Sequence, residues 1–370
     1  MIAPKVIGID ASRSNLREKT GTEWYSRNII SALAELECRP HLRLYYREET
    51  EEQAWKNTST VWIRRRRLWT HVGLSQEMRR SPIDALFVPA HVIPRTSPRA
   101  TVVTVHDIGF RYEPGAHTLQ RRVSLEAATR WNVRAAGRVI VPSRSTANDL
   151  ERDYGLDRDA IDIIPHGVDH DRYRILSEDQ VTATLAKLGV RRPYLLFLST
   201  VQPRKNLSRI VSAFESIGVE DLQLVVAGAT GWKSEGLLNR MAMSERAADI
   251  LHIGFVPDDA VPALYNGAAA FILPSLYEGF GMGVLEAMAC GCPVVTSSTS
   301  SLADVAGGAA VIVDPTSVRD IGDGIGRALV PATAVTLREQ GLERAKTFTW
   351  ERAAAATLAS IIRAFRETRE

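Results

Sequence analysis

Short, continuous apolar runs alternate with longer amphipathic segments along nearly the whole chain, and this alternation limits the possible folds more than any other feature. Strands without polar alternation are buried on both faces, as in parallel sheets that helices cover on either side. The sequence therefore predicts an α/β protein with doubly wound parallel sheets. The predicted strands are 5–10, 42–47, 84–89, 100–105, 138–142, 161–165, 194–199, 222–227, 250–255, 269–274, 293–297 and 309–313.

The pattern of strands and helices starts again after the polar segment 173–192, which predicts two Rossmann-like domains. We expect an N-terminal domain over 1–175, a C-terminal domain over 176–349, and a final helix over 350–370 that packs back on the N-terminal domain. Ligands bind such sheets at the carboxyl ends of the strands, so a cleft between the domains is expected to hold the substrates. The predicted helices are 22–36, 117–136, 143–153, 205–217, 236–247, 257–266, 283–290 and 317–328.

The composition is that of an ordinary soluble protein and excludes several classes of function. The net charge of +3 is too small to indicate nucleic-acid binding, although residues 1–174 carry 28 Lys and Arg against 22 Asp and Glu. Three cysteines are too few for a disulfide framework, and Cys290 and Cys292 lack the second ligand pair of a metal site. No apolar run reaches the roughly 18 residues that cross a bilayer, and no signal peptide precedes the first strand. We therefore expect a cytoplasmic protein.

The most informative stretch is 269–292, in which a buried strand leads into a glycine-rich turn and then a helix. Glycines let the backbone approach a bulky anion, and a helix N-terminus adds unpaired N–H groups and a positive dipole end. This arrangement predicts a phosphate-binding loop. Glu278 and Glu286 flank it, and carboxylates suit sugar or ribose hydroxyls. A structural turn with one capping and one exposed glutamate is the alternative. The glycines are Gly279, Gly281 and Gly283.

Glu278 and Glu286 are separated by seven residues and are followed by Ala287-Met288-Ala289 and Gly291-Cys292-Pro293-Val294-Val295. This pattern resembles the E-x7-E signature of the family-4 retaining glycosyltransferases, which have the GT-B fold, and the resemblance covers nearly the whole chain. It implies that Glu278 binds hydroxyls of the transferred sugar and that Glu286 binds the nucleotide ribose. It also implies an acceptor-side N-terminal domain and a C-terminal domain that binds a nucleotide sugar. The implied donor-binding residues are Gly21, Thr200, Phe255, Gly279, Phe280, Gly281, Met282, Gly283, Val284 and Glu286.

Arg204 and Lys205 follow the predicted strand 194–199, at the start of the next helix. Two cations at the carboxyl end of a strand suit a diphosphate leaving group, on which negative charge grows as the sugar–phosphate bond breaks. The family carries an Arg/Lys pair here, which favours this interpretation over a solvated basic turn. Many members have an arginine directly after the strand, where this chain has Thr200, so the phosphate oxygen that each cation contacts stays open.

Two further positions lie in the predicted N-terminal domain. Gly21 stands at the start of a helix, and in the family the first glycine loop closes over the donor and orients the acceptor; a simple helix cap is the alternative. His106 follows strand 100–105, and the family has a histidine here that contacts the donor sugar; a histidine satisfied by local hydrogen bonds is the alternative. With Glu278, Arg204 and Lys205, His106 completes the predicted catalytic residues.

A run of four arginines between two tryptophans is the sharpest cluster of charge. Such a mixture suits an anionic membrane surface or a lipid-diphosphate acceptor, and we predict an acceptor or membrane surface here. A solvated edge strand or loop is the alternative. Nucleic acid is not expected, because no other nucleic-acid motif accompanies the run. The residues are Trp62, Arg64, Arg65, Arg66, Arg67 and Trp69.

The sequence as a whole predicts a hexosyltransferase of cell-surface polysaccharide assembly, cytoplasmic and peripheral at the inner face of the plasma membrane. The family resemblance implies that the anomeric configuration is retained. The expected partners are a nucleoside diphosphate sugar, with GDP-mannose favoured, and a glycan or lipid-linked acceptor; no cofactor and no metal are required. A nucleotide-sugar epimerase of the same fold and a non-catalytic sugar-nucleotide-binding protein are the alternatives. A NAD-dependent dehydrogenase is less favoured, because strand 5–10 is not followed by G-x-G-x-x-G.

Overall fold

The computed structural model describes residues 3–16, 21–49, 55–65, 67–90, 92–113, 115, 118–231 and 233–369. The chain divides into two compact units. Unit 1 comprises Met1–Ile108, Leu119–Gly167 and Thr349–Glu370; unit 2 comprises Gly109–Thr118 and Val168–Phe348. The sequence placed the first boundary later, at residue 175, and gave no sign that 109–118 would join the second unit.

Unit 1 is built on a seven-stranded parallel sheet. Its order is β3-β2-β1-β4-β5-β6-β7, so the chain adds strands on both sides of β1, as in a doubly wound fold. One of these strands, β3, was not predicted: it lies at the sheet edge, and all five of its residues are only partly buried, so it lacks a continuous apolar run. The strands are β1 (Val6–Asp10), β2 (His41–Tyr46), β3 (Thr58–Trp62), β4 (Ala85–Val88), β5 (Thr101–Thr104), β6 (Arg138–Val141) and β7 (Ile161–Ile163).

Unit 2 is built on a six-stranded parallel sheet of order β10-β9-β8-β11-β12-β13. The central strands β8, β9 and β11 are apolar apart from Gln223 and almost entirely buried, which is the property that made them predictable. In this order the neighbours of β11 are β8 and β12, a fact that decides which loops meet at its carboxyl end. The strands are β8 (Tyr194–Leu198), β9 (Gln223–Ala227), β10 (Ile250–Gly254), β11 (Ala270–Leu273), β12 (Val294–Ser297) and β13 (Val311–Val313).

Helices connect the strands in both units. Five of them, α2, α3, α6, α11 and α13, were not predicted. The first two and α11 are short, and α6 and α13 each bury only two or three residues and so show a thin apolar stripe. The helices are α1 (Gly21–Glu35), α2 (Ser75–Arg80), α3 (Gly109–Tyr112), α4 (Leu119–Ala135), α5 (Arg144–Tyr154), α6 (Glu178–Leu188), α7 (Leu207–Ser216), α8 (Glu235–Ala242), α9 (Val261–Gly267), α10 (Met282–Ala289), α11 (Leu302–Ala306), α12 (Val318–Leu329), α13 (Pro331–Lys346) and α14 (Trp350–Glu367). Within the described ranges, no helix has both the length and the hydrophobicity that a bilayer crossing requires.

The last helix, α14, belongs to unit 1, where its apolar face packs on α1 and on the strands β4, β5 and β6. An ion cluster around the buried Arg138 joins it to the sheet. The guanidinium of Arg138 donates to both carboxylate oxygens of Asp162 at 2.7 and 2.8 Å, and it also donates to Glu367 of α14 at 3.1 Å. Ser360 of α14 donates to Asp162 at 2.6 Å. Bidentate Arg–carboxylate pairs of this kind fix orientation as well as distance.

Two glycines of α12 give a matched test of the packing in unit 2. A Cβ on Gly324 would lie 2.4 Å from a methyl group of Val313, whereas a Cβ on Gly326 would meet nothing within 4 Å. Gly326→Ala should stabilise the protein by up to about 1 kcal/mol through helix propensity. Gly324→Ala should be less stable than Gly326→Ala by about 1–3 kcal/mol because of overpacking. Thermal unfolding of the two variants measures the difference, and equal melting temperatures would contradict this packing.

Candidate active site

The site in unit 2 forms where the loops after β8 and β11 meet, because these strands are neighbours in the sheet. Asn206, in the left-handed region with φ of 66°, joins the two loops. Its side-chain amide donates to the carbonyl of Pro274 at 2.9 Å and to that of Pro315 at 2.6 Å. The backbone N–H of Leu276 also donates to the carbonyl of Arg204 at 2.9 Å. The loop that carries the cations is therefore fixed to the loop that carries Glu278.

Glu278, Arg204 and Lys205 form one buried ion cluster, with side chains 10%, 16% and 12% exposed. Arg204 donates to one carboxylate oxygen of Glu278 at 2.9 Å, and Lys205 donates to the other. Arg204 also donates to the carbonyl of Tyr277 at 2.6 Å. Burial alone would raise the pKa of the Glu278 carboxyl, but Arg204 and Lys205 outweigh it and lower the pKa to about 2. The cluster therefore holds one negative and two positive charges at neutral pH.

The turn from Glu278 to Gly281 is held by two serines that the sequence analysis missed. The backbone N–H of Glu278 donates to the hydroxyl of Ser300 at 2.9 Å. The hydroxyl of Ser301 is 2.9 Å from the carbonyl of Glu278 and 2.7 Å from that of Phe280. Both serines follow β12, the other neighbour of β11, and no local pattern in the sequence marks them. Gly281 has a φ of 115°, and a Cβ there would lie 2.5 Å from the side chain of Leu302.

Helix α10 begins directly after this turn, so its N-terminus is beside the ion cluster. The side chains of Phe280 and Val284 are buried in the core of unit 2, and Phe280 makes an edge contact with Phe348 at 6.0 Å. Only backbone groups of these two residues remain for the predicted donor contact. Met282 and Gly283 lie between them in the first turn and are partly buried. A helix N-terminus presents N–H groups and a partial positive charge to an anion.

Glu286 lies one turn further along α10 in an environment unlike that of Glu278. Its carboxylate accepts a hydrogen bond from the hydroxyl of Tyr265, with an O–O distance of 3.3 Å. Burial raises the pKa of Glu286, and the opposing effects are the charge of Arg172 and the hydroxyls of Tyr265 and Tyr173. Glu278 is thus paired with two cations, whereas the hydroxyls beside Glu286 belong to the neutral phenols of Tyr265 and Tyr173.

Three other features surround this region of unit 2. Thr200, in the loop after β8, packs so closely on Gly231 that a Cβ there would lie 2.8 Å from its methyl group. Phe255 follows β10, two strands away from β8, and its side chain is 66% exposed. Tyr112 of α3 stacks on Tyr277 with ring centroids 5.1 Å apart, which ties α3 to the Glu278 loop. The sequence gave no indication of this last contact.

The structure places His106 and Gly21 in unit 1. The Nε2–H of His106 donates to the carbonyl of Pro89 at 2.9 Å, so Nδ1 is the nitrogen with a lone pair. Tyr25 packs edge-on against the ring at 4.7 Å, and burial lowers the pKa of His106 so that the ring is neutral at pH 7. Gly21 begins α1, while the neighbouring Lys19 and Thr20 lie outside the described residues.

The structure contradicts one residue of the predicted acceptor or membrane surface, and the role of the others stays a prediction. Arg64, Arg65 and Arg67 are exposed, and Arg64 pairs with Glu49. Trp69 is 1% exposed and its indole N–H donates to the carbonyl of Ile63 at 3.1 Å, so its assignment to a surface is wrong. The π-helical turn Trp69–Leu74 turns this side chain into the protein. Trp62 is partly buried on β3 against Tyr46, and Arg66 lies outside the described residues.

Two family models match successive parts of the chain. Residues 19–172 match Glycosyltransferase Family 4, and residues 185–340 match Glycosyl transferases group 1. O-antigen chain mannosyltransferase B of Escherichia coli is 31% identical over 280 residues, which cover 73% of this chain and 72% of that protein. The chain belongs to the family-4 glycosyltransferases. The predicted family and the predicted enzyme class, a hexosyltransferase, are confirmed.

Solved structures resemble this family-4 glycosyltransferase over almost its entire length. Sucrose-phosphate synthase from Thermosynechococcus elongatus has a TM-score of 0.78 at 18% identity and covers 98% of this chain and 100% of that one. HepE of Anabaena, in complex with UDP-glucose, has a TM-score of 0.71 at 16% identity and covers 99% of both chains. The predicted GT-B fold class is confirmed. The roles of individual site residues stay predictions. Among the residues described, no group of three or more His, Cys, Asp or Glu side chains could hold a metal ion.

The depressed pKa of Glu278 predicts how the stability of this glycosyltransferase depends on pH. At pH values above the unfolded-state pKa of 4.5, the ionised carboxylate makes its full contribution to the stability of the folded state. This contribution is lost as the pH falls toward 2. Between pH 5.5 and pH 2.5 the wild type should lose about 2–3 kcal/mol more unfolding free energy than Glu278→Gln, which cannot titrate. Urea unfolding over this range tests this, with the exposed Glu339→Gln as the control. Parallel pH profiles for wild type and Glu278→Gln would contradict the ion cluster.

Proposed function

We propose that this glycosyltransferase transfers mannose from GDP-mannose to a hydroxyl of a glycan or lipid-linked acceptor, with retention of the anomeric configuration. The observation that carries the proposal is the buried cluster of Arg204, Lys205 and Glu278 beside the N-terminus of α10. This arrangement combines fixed positive charge for a diphosphate with a permanently ionised carboxylate for sugar hydroxyls.

The chemistry follows from the charges. As the bond between the anomeric carbon and the phosphate oxygen breaks, negative charge develops on the departing diphosphate. Arg204, Lys205 and the N–H groups of α10 stabilise that charge without reorganisation, because hydrogen bonds and packing already fix them. These groups supply the positive charge that the leaving group needs, so we propose a reaction that requires neither metal nor cofactor.

Glu278 is not the base of this reaction. A carboxylate with a pKa of about 2 is a poor proton acceptor, so its role is to accept hydrogen bonds from the hydroxyls of the transferred sugar. The proton of the acceptor hydroxyl passes to the departing diphosphate oxygen on the same face of the sugar. The new bond from the acceptor oxygen to the anomeric carbon forms on that face, which gives retention.

The relatives support the choice of donor and acceptor classes. The Escherichia coli relative is by name an O-antigen chain mannosyltransferase, which favours mannose and a cell-surface polysaccharide. The Anabaena structure contains UDP-glucose, so a UDP-sugar is the second donor to test. The exposed Arg64, Arg65 and Arg67 are proposed to meet the phosphates of a lipid-linked acceptor or of an anionic membrane at the inner face of the plasma membrane.

Thermal unfolding with GDP-, UDP-, ADP- and dTDP-sugars identifies the donor, since a bound donor raises the melting temperature by mass action. GDP-mannose should give the largest shift. Incubation with glycan and lipid-linked acceptors should then yield a product of retained configuration by NMR, with or without a metal chelator. Conversion of the donor without any acceptor would indicate an epimerase. Donor binding without turnover on any acceptor would indicate a non-catalytic binding protein.

Lys205→Ala removes one donor to the leaving group. It should lower kcat about 100- to 1000-fold, the effect typical of losing one preorganised group that stabilises transition-state charge. Lys187→Ala, an exposed lysine on α6 of the same unit, is the matched control and should leave kcat unchanged. Steady-state transfer assays measure both. Transfer at the wild-type rate by Lys205→Ala and by Glu278→Ala would overturn the roles assigned to these two residues.

A further inference from the structure

One buried hydroxyl in unit 2 contacts the candidate site but belongs to no predicted motif. Tyr265 lies on α9 and is 1% exposed, and its hydroxyl reaches Glu286 of α10. We propose that Tyr265 is a positioning residue that fixes the Glu286 carboxylate for both ribose hydroxyls of the nucleotide, and that the site thereby selects ribonucleotide over 2′-deoxyribonucleotide donors. This inference rests on the proposed role of Glu286 as the ribose ligand.

Packing holds the Tyr265 ring in one orientation. Phe271 makes an edge contact with it at 5.3 Å and 83°, and Tyr173 makes another at 6.2 Å and 65°. The hydroxyl lies beneath the first turn of α10, where a Cβ on Gly283 would be 3.3 Å from the Tyr265 oxygen. A ring that is confined on these sides carries its hydroxyl at a fixed position relative to α10.

The direction of the hydrogen bond is set by the two groups' protonation. Burial and the nearby charge of Glu286 raise the pKa of Tyr265 well above its ordinary value, so the phenol keeps its proton and donates it to the carboxylate. The bond occupies one position on Oε2 of Glu286. A carboxylate has about four lone-pair sites, so both oxygens keep capacity for further donors. A vicinal diol supplies two such donors.

Burial raises the pKa of Glu286, and the positive charge of Arg172 is the largest effect that opposes this rise. Arg172 lies against the ring of Tyr173 at 5.0 Å and donates to the carbonyl of Asp258 at 2.7 Å, which holds its charge near Glu286. Glu278, by contrast, accepts from two cations directly. The direct phenol contact orients Glu286 without adding charge, and this distinguishes a carboxylate held for hydroxyl groups from one held in an ion cluster.

Selection of ribose follows from the cost of an unmade hydrogen bond. A buried carboxylate oriented toward two hydroxyls loses a partner when the 2′-hydroxyl is missing, and sites built in this way reject the analogue strongly. If the carboxylate can rotate, the remaining hydroxyl and the protein can compensate for part of that loss. The preference for ribose therefore depends on the groups that fix the carboxylate, and Tyr265 is one of them.

Tyr265→Phe tests the inference because it removes the hydroxyl and keeps the ring. Tyr194→Phe is the matched control: Tyr194 is fully buried in the same unit, and its hydroxyl donates to the carbonyl of Leu264 at 2.6 Å. Calorimetric titration with GDP, UDP and their 2′-deoxy forms gives the Kd values, and steady-state assays separate KM from kcat. Melting temperatures verify that both variants fold.

The wild type and Tyr194→Phe should bind the ribose form at least about tenfold more tightly than the 2′-deoxy form. Tyr265→Phe should lose most of this preference and raise KM about tenfold, with kcat within about twofold of wild type. In a Glu286→Gln background, Tyr265→Phe should have no further effect on Kd.

Three outcomes would overturn the inference. If Tyr265→Phe prefers the ribose form as strongly as the wild type does, Tyr265 has only a packing role in the core. The proposed transferase function would then stand. Equal losses in Tyr265→Phe and Tyr194→Phe would point to general destabilisation and not to positioning. Absence of binding by any nucleoside diphosphate to the wild type would overturn both this inference and the proposed function.

Discussion

The ion cluster of Arg204, Lys205 and Glu278 is the interaction on which the site in unit 2 depends. Burying three charges is costly, and each charge here is compensated mainly by the others. The cluster retains one excess positive charge, which favours an anion at the adjacent helix N-terminus. The neutral hydrogen bonds of Asn206 and Ser301 hold the two loops that carry these charges. The backbone arrangement therefore keeps the three charged side chains close together.

The two glutamates of the motif are differentiated by the secondary structure around them. Glu278 lies in a turn that faces the loop of Arg204 and Lys205, and its pKa falls; Glu286 lies inside α10 against Tyr265, and its pKa rises. The same residue type, with only seven residues between its two copies, thus meets cations in one place and phenols in the other. Their environments differ because the loop after β8 and the helix α9, not neighbouring residues in the sequence, supply their partners.

The sequence predicted those parts of the molecule that depend on local patterns. The apolar run of β11 and the cations after β8 were identified because buried strands and their carboxyl-end loops have a local signature. The edge strand β3 was missed because partial burial removes that signature. Ser301 and Tyr265 were missed because their contacts arise from sheet order and helix packing, which pair residues more than twenty positions apart. Trp69 was misassigned because the arginines beside it obscured its burial in the core.

Two glycines of the motif, Gly281 and Gly283, have different structural reasons for being glycine. From the sequence, the alternating glycines indicated a single purpose, close approach of the backbone to an anion. In the structure Gly281 is needed for its positive φ and for the space that Leu302 occupies, whereas Gly283 leaves room for the Tyr265 hydroxyl and the Phe271 ring. One glycine shapes the turn before α10, and the other admits the group that orients Glu286. The glycines of the motif are therefore explained by packing beneath the helix as well as by the predicted contact with an anion.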